Sequence, residues 1–274
     1  MGSTLKVTSL NLWSDQLKKE HRSLLLNSFI EKEEPDVILL QENSLLKPEL
    51  SVASFIAKST GYSLVESPEF ISPALLYRES ALLTGIIDIR DKVDFDLIRT
   101  ASFNNYAPFI ILDRGCHKVM LASLHLPWGP REHLRLQSAY NFNQEIIKIL
   151  EREAVETAII GGDFNCKPSS DTIRFLEGEL VYNQSSTLWV NSAKTLGCAD
   201  QTTSNISNLY AQLVARSVGI LELDEAKDRT IDYQFTYGYT YGKVGHPVNI
   251  KFEPNKIDGQ LISDHIGLTV EYRC

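Results

Sequence analysis

The sequence predicts an α/β fold in a single domain, residues 1–274. Short runs rich in aliphatic and β-branched residues alternate with longer stretches of helical period. Between residues 63 and 124 several strand-like runs follow one another, which exceeds strict βαβ alternation and calls for hairpins or an antiparallel sheet. A chain of 274 residues that is 43 % hydrophobic can build one large core without staples. It holds no repeat, low-complexity tract or linker.

Thr4 to Leu10 alternates apolar and polar residues and reads as a strand, with Asn11 at its C-terminal end. Gln16 to Glu34 has helical period, with Leu17, Leu24, Leu25, Ser28 and Phe29 on or near one face and Pro35 as its stop. Lys18, Lys19 and Arg22, set among Glu20, Glu31, Glu33 and Glu34, read as a solvated face rather than a phosphate track. Asp36 to Gln41 is nearly all apolar, the mark of a buried central strand, and Glu42 falls at its end. Strand-like pieces follow at Ala74–Tyr77, Ala81–Ile89, Leu97–Phe103, Pro108–Leu112 and Lys118–Leu124. Pro130 to Arg152 is helical, with Leu136, Ala139, Phe142, Ile146 and Ile149 spaced by three or four residues. The strand Thr157–Ile160 runs into Gly161-Gly162-Asp163-Phe164-Asn165, and Thr172–Leu176 looks helical after Ser169, Ser170 and Asp171. Residues 180 to 223, rich in Ser, Thr and Asn, read as long loops, before strand signals return at Thr230–Tyr237 and Ile266–Tyr272.

Composition excludes several classes of function. Cys116, Cys166, Cys198 and Cys274 are scattered with no C-x-x-C pair, which argues against a zinc knuckle or disulfide framework and for a reducing, intracellular, cytoplasmic setting. No stretch approaches the roughly 18 apolar residues of a membrane span, and no leader is legible at the N-terminus. Gly2 does not start a lipidation signal, because Lys6 stands where Ser or Thr is needed. A net charge of −8 argues against a broad basic face for nucleic acid, leaving room only for a local groove.

Asn11, Glu42, His125, Asp163, Asn165, Asp232, Asp264 and His265 each sit at or beside the end of an apolar strand-like run. Strand ends along one edge of layered sheets converge on a crevice, so these side chains are expected to share a site. Three Asp and one Glu in one place repel one another unless cations neutralise them. Hard oxygen ligands without paired thiols select Mg²⁺, with Mn²⁺ as a substitute, over Zn²⁺. Such a set suits an oxyanionic substrate.

The ordered pieces Ser9-Leu10-Asn11, Leu40-Gln41-Glu42, Ser123-Leu124-His125, Gly162-Asp163-Phe164-Asn165, Ile231-Asp232-Tyr233 and Ser263-Asp264-His265 resemble the endonuclease/exonuclease/phosphatase superfamily, the DNase I-like fold. The resemblance runs from Leu5 to Tyr272, with Arg135-x-Gln137 in the place of the family's usual spacer helix. It implies a four-layered α/β sandwich, with two central mixed or antiparallel β-sheets flanked by helices. It also implies hydrolysis of a phosphoester by in-line attack of water with a divalent cation. On that pattern Glu42 binds the metal, with Asn11 and Asp264 in or near its shell. Asp163 orients and deprotonates the water, Asn165 holds a phosphate oxygen from an extended backbone, Asp232 orients His265, and His125 and His265 contact the phosphoryl group.

Each residue also has a plainer reading. Asn11 could be a turn residue, Glu42 a surface cap, His125 a core histidine, Asp163-x-Asn165 an Asx-turn, Asp264-His265 a loop pair and Asp232 an ion-pair partner of Arg229. Trp13 and Trp128 follow site residues and could stack on a base, pack on a lipid chain or merely rim the core. Tyr237 to Gly242 resembles an aromatic loop, and Cys166 reads as a bystander. Members of the family cleave nucleic-acid backbones, protein–DNA phosphotyrosyl links, poly(A) tails, inositol phosphates and sphingomyelin with the same core residues. A nuclease or nucleic-acid end-processing phosphodiesterase is the first reading, a sphingomyelinase-like or inositol-phosphate phosphatase-like hydrolase the second, and a non-catalytic binding module the third. The sequence points to no protein partner.

Overall fold

The computed structural model describes residues 4–14, 19–69, 71–92, 105–115, 117–129, 131–204, 229–238, 244–253, 256–257 and 259–274. The elements run β1 (Thr4–Asn11), α1 (Lys19–Glu33), β2 (Val37–Asn43), β3 (Leu45–Lys47), β4 (Leu50–Ser51), α2 (Val52–Thr60), β5 (Ser63–Glu66), β6 (Ser72–Tyr77) and β7 (Ala81–Asp88). After these come β8 (Tyr106–Asp113), β9 (Lys118–His125), α3 (Glu132–Glu153), β10 (Thr157–Asp163), α4 (Asp171–Leu176), β11 (Val190–Asn191), α5 (Ser192–Thr195) and β12 (Asp232–Tyr237). The chain closes with β13 (Pro247–Glu253), β14 (Lys256–Ile257), β15 (Gln260–Leu261) and β16 (Gly267–Arg273).

Two six-stranded sheets form, in the orders β13-β16-β1-β2-β6-β5 and β11-β12-β10-β9-β8-β7. Among the described residues each contains a single parallel pair, β1 with β2 and β9 with β10, bridged by α1 and α3 respectively. The period of two along each strand divides the apolar residues between layers. Leu5, Val7, Val37 and Leu39 of the first sheet meet Ile110, Val119, Leu121 and Ile159 of the second in a buried inter-sheet core. The alternate residues Leu10, Ile38, Leu40 and Leu76 face α1 and α2, and Met120, Ala122, Leu124, Ala158 and Ile160 face α3 and α4. The result is the four-layered sandwich with central mixed sheets.

Some details depart from the sequence reading. The strand expected at Leu97–Phe103 and the later part of the 180–223 region, from 205 on, lie outside the described residues, as do positions 239–242 of the aromatic loop. Helix α1 does not bury the Leu24/Ser28 face: Leu24 is 55 % exposed, and the inward stripe is Lys19, Arg22, Ser23, Leu26, Phe29 and Ile30. Helix α2 is additional to the predicted elements, although its caps are in the sequence: Ser51 accepts from the Ser54 N–H, and Gly61 ends it at φ 77°. Strand β13 is also additional, an edge strand whose exposed residues interrupt the apolar pattern.

Two local features aim side chains at the site. Between Leu40↔Ala74 and Asn43↔Ser72 the β2–β6 register shifts, so that Gln41 and Glu42 both lie opposite Pro73. Proline has no N–H for the ladder, and a bulge at that point removes the need for one. At the end of β10, Gly162 adopts φ 155°, and a Cβ there would lie 1.8 Å from the Leu124 carbonyl oxygen. The β9–β10 pair therefore closes only over a glycine at this position, one residue before Asp163↔His125. Gly162→Ala is expected to cost about 2–4 kcal/mol in chemical denaturation; a loss below about 0.5 kcal/mol would show that the Leu124 carbonyl moves aside freely.

Candidate active site

Asn11, His125, Asp163 and Asp232 share the parity of the inter-sheet residues on their strands, and each ends or begins its strand at the same edge of the sandwich. Asp163 pairs with His125 on one side and Asp232 on the other, which sets three functional side chains in one row across β9, β10 and β12. The first sheet supplies Asn11 opposite that row: its Nδ2 donates to Asp163 Oδ2 at 3.1 Å and to Glu42 Oε1 at 3.1 Å. Beneath them a buried polar layer joins the sheets. Gln41 Nε2 donates to Ser123 Oγ at 3.1 Å, and Gln234 Nε2 donates to the Leu268 carbonyl at 2.8 Å and the Val7 carbonyl at 3.2 Å.

The bulge turns Glu42, in left-handed backbone at φ 53°, toward Asn11, and its other oxygen accepts from the Ser14 N–H at 2.8 Å. Burial alone would raise this carboxyl, but the His125 charge and the hydrogen bonds from Ser14 and Asn11 outweigh it and keep Glu42 below its ordinary value. Asp264 differs. Its Oδ1 is inaccessible and accepts no hydrogen bond among the described residues, and burial, with the charges of Glu42 and Asp163, lifts it to about 6 against the pull of His265. Glu42, Asp264 and Asn165 are half-buried while the remaining five are buried, so these three residues lie nearest solvent. An ionised Glu42 beside a carboxylate oxygen with no donor is a hard-oxygen set that fits a divalent cation.

Asp163, Asp232 and His265 also offer ligand atoms within 4.8 Å of one another. These atoms are engaged with each other and with neighbouring donors. His265 Nδ1 lies 2.9 and 3.1 Å from the two oxygens of Asp232, whose N–H is held by Thr203 Oγ1 at 3.0 Å. Burial works against an imidazolium, but Asp232, Asp163 and Asp264 outweigh it and raise His265 well above its ordinary 6.5. Asp232 also moves up, by burial and the Asp163 charge. Both shifts describe one proton held between the pair. With both oxygens on His265, Asp232 is not the partner of Arg229.

Asp163 lies between two imidazoles, its Oδ2 3.8 Å from His125 Nε2 and 3.7 Å from His265 Nε2. Its Oδ1 accepts from the Asn165 N–H at 2.8 Å, so the Asx-turn reading and a place in the cluster both hold. Asn165 is not extended, as expected, but left-handed at φ 50°, because that short turn reverses the backbone. Its Nδ2 still reaches the site, 3.0 Å from the Leu126 carbonyl and 3.4 Å from His125 Nε2. The structure thus gathers all eight sequence-predicted residues.

Sequence reasoning missed the supports. Lys19 and Arg22 are not a solvated face: each is only 5 % exposed, with charged heads turned toward the loops that follow β1 and β2. Ser263 Oγ donates to the Asn11 carbonyl at 2.6 Å and accepts from the His265 N–H at 3.0 Å, tying the two ends of the chain together. Trp13 is buried, whereas Trp128 is 49 % exposed on the loop after His125. Arg135 Nη1 holds that loop through the carbonyls of Pro127 at 3.2 Å and Gly129 at 2.5 Å. Cys166 is buried, its thiol pushed up to about 12 by burial, and stays a bystander.

A sequence profile of the Endonuclease/Exonuclease/phosphatase family matches residues 8–265. No curated protein matches the chain. Among solved structures, the endonuclease/exonuclease/phosphatase from Bacteroides vulgatus superposes with TM-score 0.70 at 16 % identity, covering 99 % of both chains. TDP2 of D. rerio complexed with a single strand DNA product gives TM-score 0.69 at 19 % identity over 99 % of this chain and 100 % of that one. A humanized D. rerio TDP2 gives 0.68 at 18 % identity over 99 % of both. At these identities the likeness shows the fold, which is DNase I-like. Among the described residues no helix is long and apolar enough to cross a membrane.

The raised Asp264 carboxyl has a consequence for the metal-free protein. Its folded value of about 6 exceeds the ordinary 3.8, so its contribution to stability is complete below about pH 4 and is lost as pH rises through about 6. Asp264→Asn, which cannot ionise, is therefore expected to exceed wild type by up to about 3 kcal/mol at pH 8 and to match it at pH 4. Urea denaturation of metal-free protein at both values reads this, and a difference independent of pH would contradict it.

Proposed function

The chain belongs to the endonuclease/exonuclease/phosphatase family, and from that premise we propose that it is a Mg²⁺-dependent phosphodiesterase acting by in-line attack of water on phosphorus. Mn²⁺ is an alternative cation. The observation that carries this reading is the buried Asp163, fixed by Asn11 and Asn165 between two imidazoles and next to the Glu42/Asp264 carboxylates.

Glu42 and Asp264 would hold the cation, with Asn11 beside them. When bound, the cation supplies positive charge that stabilises the phosphorane-like transition state and the leaving oxygen. Asp163 is already hydrogen-bonded through both oxygens, so it is rigid, and a rigid carboxylate serves as the group that orients and deprotonates the attacking water. His265, kept protonated by Asp232, would donate from Nε2 to a non-bridging phosphoryl oxygen. His125 and the Asn165 amide would donate to the same growing charge. Substrate binds at the half-buried edge, where Trp128 offers a flat aromatic face.

A nuclease or nucleic-acid end-processing substrate remains first. The net charge of −8 disfavours a long phosphate track, while an end needs few contacts, and the TDP2 structure with a single strand DNA product supports the same class. Sphingomyelinase-like or inositol-phosphate phosphatase-like activity is second. A binding module is third, because every site position keeps a competent side chain. The scattered cysteines support a reducing, cytoplasmic setting.

A generic phosphodiester reporter assayed beside DNA, RNA, phosphotyrosyl-DNA, inositol phosphate and sphingomyelin tests the reading. Expected are Mg²⁺-dependent turnover, a loss of about 10³-fold in Asp163→Ala, and a KM raised about tenfold for single strands in Trp128→Ala. Choline phosphate release with inert DNA would replace the first substrate by the second, and silence across the panel would favour the binding module.

A further inference from the structure

Arg22 lies at the end of the first turn of α1, a helix that contributes none of the eight site residues, yet it is 5 % exposed. Its guanidinium donates from Nη1 to the carbonyls of Leu12 at 3.0 Å, Trp13 at 3.1 Å and Ile262 at 3.4 Å, and from Nη2 to Trp13 again at 3.1 Å. Its Cζ also sits 4.5 Å from the Trp13 ring centroid. Leu12 and Trp13 follow Asn11 directly, and Ile262 directly precedes Ser263-Asp264-His265. One planar cation therefore joins two loops that are about 250 residues apart, one directly following Asn11 and the other carrying Asp264 and His265.

The clamp holds a strained conformation. Trp13 has φ 54°, a left-handed backbone that costs a bulky residue of order 1–3 kcal/mol and persists only where surrounding contacts enforce it. Asn11 Oδ1 accepts from the Trp13 N–H at 2.9 Å, and this turn in the chain is what sends the next N–H, that of Ser14, to Glu42 Oε2. Stacking on the ring and bonding to the carbonyl fix Trp13 from both sides. A lysine could not replace this, since its single ammonium cannot hold three carbonyls and a ring face at once.

We propose that Arg22 is a positioning residue for the site: by bracing Leu12-Trp13 against Ile262 it fixes Asn11, the Ser14 donor to Glu42, and the Asp264-His265 pair at reacting distance. The kinetic consequence rests on the proposed phosphodiesterase reading; the bracing does not.

The test uses the full chain without metal. Hydrogen-exchange mass spectrometry compares wild type with Arg22→Lys and Arg22→Ala. Amides in 11–14 and 262–265 are expected to exchange at least about tenfold faster in both variants, with the sheet strands unchanged, and guanidinium ion is expected to slow them again in Arg22→Ala alone. On the phosphodiester reporter, kcat falls by about 100-fold with KM little changed, the cost of a small misplacement of catalytic groups. Unchanged exchange in either segment, or equal acceleration across the whole chain, overturns the proposal. If Arg22→Ala does not fold, Arg22→Lys decides; if neither folds, slow rotation of the Arg22 guanidinium in wild-type nuclear magnetic resonance supports the clamp, and free rotation overturns it. Wild-type inactivity with the expected exchange pattern removes the function and leaves the clamp, while normal activity with unchanged exchange does the reverse.

Discussion

One amide joins the two halves of this molecule's site. Asn11 Nδ2, at the end of the first sheet, donates at 3.1 Å both to Glu42 in its own sheet and to Asp163 in the other. The half proposed to bind the cation and the half proposed to activate water are thereby held at a fixed separation by a side chain that is itself fully buried. A buried amide is costly unless its groups are paired, so this geometry is also the one that the packing demands. The Gln41–Ser123 and Gln234–Leu268 bonds extend the same logic below the site and fix how one sheet lies on the other.

The electrostatics follow from that junction. Four carboxylates and two imidazoles are brought together where water is largely excluded, and each finds a different settlement. Glu42 is stabilised as an anion by Ser14, Asn11 and the nearby His125 charge. Asp232 and His265 share a proton. Asp264 has no donor on Oδ1 among the described residues, and burial with the charges of Glu42 and Asp163 lifts it to about 6 against the pull of His265. Left-handed backbone at Trp13, Glu42 and Asn165 surrounds the same few side chains. Strain of this kind persists where neighbouring contacts over-determine the conformation, and Arg22, the Pro73 bulge and the Asp163 turn each supply such contacts.

Much of this was legible from sequence because strand periodicity and strand ends are local. Asn11, His125, Asp163 and Asp232 each close or open an apolar run, and parity alone sends them between the sheets. What could not be read depends on distant residues. The aim of Glu42 is set by Pro73 on the neighbouring strand. Burial of Lys19 and Arg22 is set by loop carbonyls far along the chain, against the general tendency of such residues to lie on solvated helix faces. The extended backbone expected at Asn165 gave way to a turn made by its own neighbour, an alternative that the same three residues allow equally well.

Side chains from both ends of the chain are proposed to form one divalent-cation site at the shared edge of the two sheets. Anomalous diffraction from crystals soaked in Mn²⁺ tests it most directly. A single strong peak is expected between the carboxylates of Glu42 and Asp264, lost in Glu42→Gln. A peak elsewhere on the surface, or none at this edge in well-diffracting crystals, would contradict it.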